Sequence, residues 1–421
     1  MPNLQRIEKI LLFFTLLFLP TQLGKHFWPD FAFIYSLPID YLSPTLYFWD
    51  LLVILLCFAH ILQNSITNKL ALNLYFFFIL TQTFSLLSNP QSIGVGLVRL
   101  EQYCLAGLFG VYISSLKNHG GIPVIFWGFV ISILAESFLA IAQFVKGGTI
   151  GLWVLGERTF SLSTAAIAKF DFYGAEFLRP YATFPHPNVL AAFMILGIIV
   201  LTKAKDLWRM GGKVGSEIFL ERSQIKMTMP GTIILASLTI LLTMSRVAIF
   251  TGFTFAAITL LKSRARFLLI VVAIILLPVL YTRFSSLLNF DNLTFIRREE
   301  LFLIAVKIWT SDPFFGVGLN NFIPTASDVL VSGPSRFLQP VHNIILLSLS
   351  ETGIVGLLGL VVLIGYPIFK FFKQKMFSLY PILFVWAAVF FLGMFDHYFL
   401  TLPQGYRFLF FIWGLSMRML R

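Results

Sequence analysis

The chain has 421 residues, of which 58% are hydrophobic, 16% are aromatic and only 12% are charged. A soluble globule needs a polar surface that this composition cannot supply, so the sequence excludes that class and indicates a polytopic membrane protein. Its formal net charge of +12 therefore has to be explained within a membrane protein.

The apolar segments are long enough to cross a bilayer as helices. A hydrocarbon core of about 30 Å needs roughly 20 helical residues, and fewer where flanking side chains snorkel. The segments are continuously apolar, whereas a barrel strand would alternate apolar and polar residues. The sequence predicts an all-α transmembrane bundle of about twelve spans, near residues 7–23, 44–62, 70–87, 95–116, 122–145, 187–203, 230–244, 246–261, 266–284, 341–369, 376–395 and 405–420.

The first apolar segment follows Arg6 and Lys9, as the apolar part of a signal peptide would. No small-x-small cleavage site comes after it, so we expect an uncleaved first helix. No repeat or low-complexity linker divides the chain, and residues 1–421 are predicted to form one integral membrane domain.

Three longer segments separate the predicted spans. Residues 146–185 and 285–340 are predicted to be extracytoplasmic loops, and residues 203–229 a cytoplasmic loop. We expect short amphipathic helices in the two outer loops, most clearly at residues 295–310, where apolar residues alternate with charged ones at helical spacing.

The distribution of charge predicts the orientation of the chain. Cytoplasmic loops of membrane proteins collect Lys and Arg. With the N-terminus inside, the predicted cytoplasmic segments hold more than half of the 31 Lys and Arg residues and few of the 19 acids. Both termini are therefore predicted to be cytoplasmic. Topology and attraction to anionic membrane lipids explain the basic balance, and no nucleic-acid partner is needed.

An arginine and a constrained turn stand at the predicted outer end of the sixth span. Residues 179–188 read Arg-Pro-Tyr-Ala-Thr-Phe-Pro-His-Pro-Asn. Packing in a bilayer does not call for an arginine, a proline-rich turn and a His/Asn pair at one boundary. Arg179, His186 and Asn188 are therefore candidate residues for binding an anion that faces water.

Other polar residues on the predicted outer side are not needed for topology either. They are Arg246, Arg297, Arg298, His342 and Asn343. Several cations thus converge on one side, and a phosphate-bearing ligand would explain them because the arginine fork binds phosphate oxygens in pairs. His342 begins a helix and can exchange a proton near neutral pH, as a general base for a hydroxyl must.

Three motifs occur in order along the chain. They are Arg179 with Thr183-Phe184 and Pro187-Asn188, then Arg298 ahead of Pro313 and Gly316-x-Gly318, then His342-Asn343 followed by Gly353. The glycines of the second motif indicate a turn with a close backbone approach. Over about residues 160–365, these motifs resemble the bacterial O-antigen ligase and O-antigen polymerase superfamily of multi-spanning glycosyltransferases.

The resemblance implies transfer of a glycan from an undecaprenyl-diphosphate carrier, outside the bacterial cytoplasmic membrane, to a lipid core, a growing polysaccharide or a protein. Arg179 and one of Arg297 or Arg298 would hold the leaving diphosphate, and His342 would orient or deprotonate the acceptor hydroxyl. Substrate contacts are further expected from Arg246, His186, Asn188 and Asn343. The carrier already activates the donor, so no metal, nucleotide or other cofactor is expected.

Structural alternatives stay open for these residues. Arg179 would otherwise be an interfacial anchor, Arg298 part of a solvated helix face, and His342 a helix-start residue. The alternative function is a polytopic transporter or a flippase for lipid-linked glycans, which would be expected to show paired repeats with broken helices. The motifs do not separate ligases, polymerases and protein glycosyltransferases.

Overall fold

Helices overlap all twelve predicted spans. The computed structural model describes residues 2–63, 67–88, 93–116, 121–209, 222–260, 266–285, 293–329, 338–374 and 380–420. The helices are α1 (Pro2–Leu17), α2 (Phe48–Leu62), α3 (Lys69–Ser88), α4 (Ile93–Ser115), α5 (Ile122–Lys146), α6 (Pro187–Arg209), α7 (Arg222–Leu242), α8 (Arg246–Leu260), α9 (Arg266–Ser285), α10 (Leu293–Ser311), α11 (Phe322–Val329), α12 (Ile344–Lys373), α13 (Tyr380–Gly393), α14 (Tyr398–Thr401) and α15 (Pro403–Met419). By length and composition, α3, α5 and α12 can each cross a membrane, and several other helices are apolar but shorter.

The segment between α1 and α2 contains strands that the all-α prediction omitted. Strand β1 (Gly24–His26) pairs antiparallel with β4 (Thr45–Tyr47), and β2 (Phe33–Ile34) pairs with β3 (Leu37–Pro38). Helix α1 ends before the predicted limit at residue 23 because Pro20 cannot continue a helix and disfavours helical geometry in the residue before it.

The loop at residues 146–185 also differs from the prediction. Instead of an amphipathic helix it holds a hairpin of β5 (Lys169–Phe172) and β6 (Ala175–Leu178). Polar and apolar residues alternate along β5, and the cross-strand rings of Phe170 and Phe177 stack at 5.4 Å. A period of two places these rings on one face of a hairpin, whereas a helix would scatter them.

The loop predicted at residues 285–340 contains the expected helix. The prediction for residues 295–310 is confirmed by α10, whose Leu301, Ala305 and Ile308 are buried. Helix α6 extends to Arg209 and α7 begins at Arg222, and both of these ends lie inside the loop predicted at residues 203–229. Residues 210–221 lie outside the described part of the chain.

Helix α15 lies at the centre of the bundle. All of its residues from Pro403 to Met417 are buried, as expected for a helix that is surrounded by other helices. The fully buried Arg407 lies over the rings of Tyr47 at 4.7 Å and Trp49 at 4.6 Å, and its Nη1 donates to the Thr21 carbonyl at 2.9 Å. These contacts connect α15 to the segment between α1 and α2 and to the start of α2.

Helix α12 bends at Gly353, where φ is 61° and ψ is −165°. The loop that follows α10 packs into this bend: the Val317 amide donates to the Ser350 carbonyl at 3.0 Å, and the Ile354 amide donates to the Pro313 carbonyl at 2.9 Å. A side-chain carbon at Gly353 would collide with the backbone of Phe314. A side-chain carbon at Gly316 would likewise collide with the backbone of Glu351, so the turn makes the close approach predicted for its glycines and joins α10 to α12.

Candidate active site

A cavity of about 1360 Å³ lies at the end of the bundle where α6, α8, α12 and α15 begin and α13 ends. Sites for one small molecule usually measure about 300–1,000 Å³, so this cavity has room for more than one small molecule. Seven of the eight predicted site residues line it, namely Arg179, His186, Asn188, Arg246, Arg297, Arg298 and His342.

Arg179 follows β6 and is held in one position by two hydrogen bonds. Its Nε donates to the Thr243 carbonyl at 2.6 Å, and its Nη2 donates to Asn188 Oδ1 at 2.7 Å. The residue is only 7% exposed. An interfacial anchor would instead extend toward lipid headgroups, so the burial of Arg179 favours a role in the cavity.

The turn after Arg179 is fixed by two polar side chains of α5. Glu136 accepts hydrogen bonds from the backbone and hydroxyl of Thr183, at 3.0 and 2.7 Å. Gln143 Oε1 accepts from the amides of Tyr181 and Ala182, at 3.0 and 2.7 Å. The sequence Arg-Pro-Tyr-Ala-Thr-Phe thus forms a preorganised turn whose backbone groups are satisfied by the bundle.

Asn188 connects Arg179 to a carboxylate that sequence reasoning missed. Its Oδ1 accepts from Arg179, and its Nδ2 donates to Asp396 Oδ2 at 3.5 Å. The backbone N–H of Asn188 in turn donates to His186 Nδ1 at 3.1 Å. One asparagine therefore links the nearby Arg179 and His186 to an acid that lies 208 residues further along the chain.

His342 belongs to a cluster with Asp396 and His397. The two imidazole rings are 5.1 Å apart between centroids, and His397 Nε2 lies 3.9 Å from Asp396 Oδ1. His397 Nδ1 shares a 2.7 Å hydrogen bond with Thr401 Oγ1, which fixes its ring. Asp396 and His397 lie just after an apolar segment that ends at α13, so a search for polar groups at outer span ends could have found them.

This cluster also has the composition of a metal site. The ligand atoms of His342, Asp396 and His397 lie within 4.8 Å of one another. Two histidines and one carboxylate can hold a divalent transition metal such as Zn²⁺ or Fe²⁺. No ligand set of this kind was expected from the sequence.

Burial controls the charges of these groups. Burial, together with Arg179, lowers the pKa of His186 to about 3. Burial also lowers the pKa of His342, where Asp396 acts in the opposite direction and Arg298 in the same one. Burial alone would raise the pKa of Asp396, but the charges of Arg298 and of His397 and His342 in their protonated forms hold it below its usual value. At neutral pH the site therefore combines an ionised carboxylate with a neutral His342 that can accept a proton.

The remaining arginines come from the starts of two helices. Arg246 begins α8 directly after a sharp turn in which Met244 has a φ of 50°. Arg297 and Arg298 lie in the second turn of α10 and are partly buried. Since α10 is joined to α12 at the bend near Gly353, Arg298 and His342 belong to connected parts of the fold.

Asn343, the eighth predicted residue, is not among the residues that line the cavity. Its Oδ1 accepts from the amides of Ile345 and Leu346, both at 3.0 Å, which makes it the N-cap of α12. Its Nδ2 donates to the Met394 carbonyl at 3.3 Å. These contacts fix the backbone next to His342 and bring it close to the segment that carries Asp396.

A comparison with protein families matches residues 231–361 to the model of the O-antigen ligase family, Wzy_C. The chain therefore contains an O-antigen ligase domain. This is a family of enzymes, and it implies lipid-linked glycan substrates and, together with the apolar helices, an integral membrane protein. The comparison with curated proteins gave no match.

The O-antigen ligase domain contains only part of the cavity. Its matched residues include Arg246, Arg297, Arg298, His342 and the bend at Gly353. The other side of the cavity comes from Arg179, His186 and Asn188 before the domain, and from Asp396 and His397 after it.

Proposed function

We propose that this chain transfers a glycan from undecaprenyl diphosphate to an acceptor hydroxyl in this cavity, on the outer side of a bacterial cytoplasmic membrane. The proposal includes about twelve membrane spans and cytoplasmic termini. The observation that carries it is a single cavity lined by Arg179, Arg298 and His342, whose chemistry fits an anionic leaving group next to a proton acceptor.

The arginines would stabilise the leaving group. As the bond between the anomeric carbon and the phosphate oxygen breaks, its electron pair moves to the lipid diphosphate. Preorganised guanidinium groups in a water-poor site stabilise such a charge strongly, because they need not reorient during the reaction. Arg179 is already oriented by Thr243 and Asn188. Arg298, Arg297 and Arg246 would supply further positive charge in the same cavity.

His342 would accept the proton of the acceptor hydroxyl as its oxygen bonds to the anomeric carbon. The lowered pKa keeps the imidazole neutral and able to act as a base at neutral pH. Asn343 would position His342 by capping α12, and Asp396 would stabilise the imidazolium that forms. Asn188 and His186 would fix the donor side of the cavity.

An apolar side of the same cavity suits the carrier lipid. Val247, Phe250, Phe295, Phe391 and Phe395 line it, and Phe250 stacks on Phe391 at 5.6 Å. Phe250 and Phe395 are exposed, at 55% and 43%. Aromatic side chains next to an arginine cluster would hold the first isoprene units while the diphosphate contacts the arginines.

Reconstitution tests this function. Purified protein in liposomes is given a radiolabelled undecaprenyl-diphosphate oligosaccharide and a panel of lipid, glycan and protein acceptors. Label should move to one acceptor class, and Arg179→Ala and His342→Ala should each lower the rate by at least about 10²-fold, as loss of one oxyanion-stabilising donor or of a general base does. The exposed Arg6→Ala on α1 serves as the matched control and should transfer normally.

Two results would contradict the proposal. Full activity of both Arg179→Ala and His342→Ala would rule out the proposed mechanism. Movement of the intact lipid-linked oligosaccharide across the bilayer, with no label on any acceptor, would identify a flippase instead.

A further inference from the structure

The cavity extends well beyond the arginines and histidines. Its far wall is built by residues between α1 and α2 and by the loop that precedes the β5–β6 hairpin. Gln22, Asp40, Tyr41, Trp153 and Arg158 all line this part. The catalytic scheme proposed above uses none of them.

The far wall adjoins the proton-accepting cluster. The ring of Tyr41 meets the ring of His397 edge to face, at 5.7 Å between centroids, and His397 contacts His342. A group bound against Tyr41 would therefore lie next to the imidazoles. In a direct transfer this is the position of the acceptor rather than of the lipid diphosphate.

The two segments of the far wall are fastened to each other. Thr21 Oγ1 donates to the Leu155 carbonyl, and Arg158 Nη2 lies 3.8 Å from Asp40 Oδ2. Glu157 accepts from the amides of Ile150, Gly151 and Leu152 at 2.6–2.8 Å, which fixes the turn that carries Trp153. The wall is thus preformed, and a ligand would not have to order it.

The side chains of the far wall match the surface of a sugar. A pyranose has apolar C–H faces and a rim of hydroxyls that both donate and accept hydrogen bonds. Trp153 is 71% exposed and offers an aromatic face, while Asp40 and Arg158, each about half exposed, offer an acceptor and a donor fork. Gln22 Nε2 is buried and has no hydrogen-bond partner among the described residues, so it can donate to a hydroxyl.

We propose that this far wall is a saccharide subsite, which holds a sugar of the acceptor so that its hydroxyl faces His342. The inference rests on the proposed function, and it narrows the acceptor to a carbohydrate or the glycan part of a glycolipid. Trp153 and Tyr41 stack on the sugar, and Asp40 with Arg158 bonds neighbouring hydroxyls.

Direct binding tests the subsite without turnover. Purified protein in nanodiscs is titrated with two probes: oligosaccharides released by mild acid hydrolysis from the source bacterium's envelope glycolipids and polysaccharides, and inorganic pyrophosphate. Trp153→Ala, Arg158→Ala and the isosteric Asp40→Asn should each weaken oligosaccharide binding by at least about tenfold, the effect of losing one charge-assisted hydrogen bond or a comparable contact. Pyrophosphate affinity should not change in these variants.

The controls separate this inference from the proposed function. Tyr173→Ala removes an exposed aromatic residue at the tip of the β5–β6 hairpin, outside the cavity lining, and should leave both affinities unchanged. Arg298→Ala should lose pyrophosphate and keep the oligosaccharide. Oligosaccharide binding that is absent, unchanged in all three wall variants or competitive with pyrophosphate would overturn the subsite. Failure of the wild type to bind pyrophosphate would count against the proposed diphosphate site alone.

Discussion

Replacing Gly353 by alanine should disable the site although Gly353 does not line the cavity. The residue has a φ of 61° and a ψ of −165°, a region that is essentially restricted to glycine. Imposing it on alanine costs about 1–3 kcal/mol. The added methyl group would also collide with the Phe314 backbone, which cannot turn aside as a side chain can. Such overpacking costs about 1–3 kcal/mol more.

The collision can be relieved only if the loop after α10 moves away from α12. A shift of about 1 Å between the parts that carry Arg298 and His342 would lower the transfer rate by about 10²-fold. The assay measures glycan transfer in liposomes and thermal stability in detergent. The control is Gly365→Ala in the same helix, where the new methyl group meets nothing within 4 Å and should be neutral or stabilise the helix by up to about 1 kcal/mol. Wild-type transfer and stability in Gly353→Ala would refute this reasoning.

Two further predictions concern the histidine cluster. The transfer rate should depend on neutral His342, whose pKa burial lowers, so activity should persist as pH falls through about 6.5 and decline only in more acid solution. Because Asp396 raises the pKa of His342, Asp396→Asn should move this acid limb to still lower pH, and an unchanged or higher limb in a rate-versus-pH series would contradict the assignment. Treatment with EDTA should leave transfer intact because guanidinium groups supply the positive charge, whereas a loss that Zn²⁺ or Mn²⁺ restores would show that His342, Asp396 and His397 hold a metal.

The positions of the helices could be predicted because hydropathy is a local property. A continuous apolar segment of sufficient length is helical wherever it packs, since its backbone must satisfy its own hydrogen bonds in lipid. The ends of the helices were less predictable. Helix α1, for example, ends at Leu17, before Pro20 and short of the predicted limit at residue 23. The β5–β6 hairpin also had a local signal, an alternation of period two along β5 ahead of Tyr173-Gly174, but it is short and weak beside the apolar segments.

The candidate site was predictable in its residue types and less so in its connections. Arg179, Arg298 and His342 stand out because polar groups are costly at a membrane boundary, so their presence points to chemistry. Asn343 shows the limit of that argument, since its polar side chain caps α12 instead of lining the cavity. Asp396 and His397 carried the same kind of signal at the end of α13.

The sequence by itself determined a helical membrane chain with several cations near one predicted side. Composition belongs to the whole chain and hydrophobic spacing is a local property, so neither depends on how the helices pack. Only the tertiary structure decided which of these groups meet. Asn188 bridges Arg179 to Asp396 across more than 200 residues, and the far wall joins segments around Asp40 and Arg158. Such contacts depend on how whole helices pack, and no local pattern of residues encodes them.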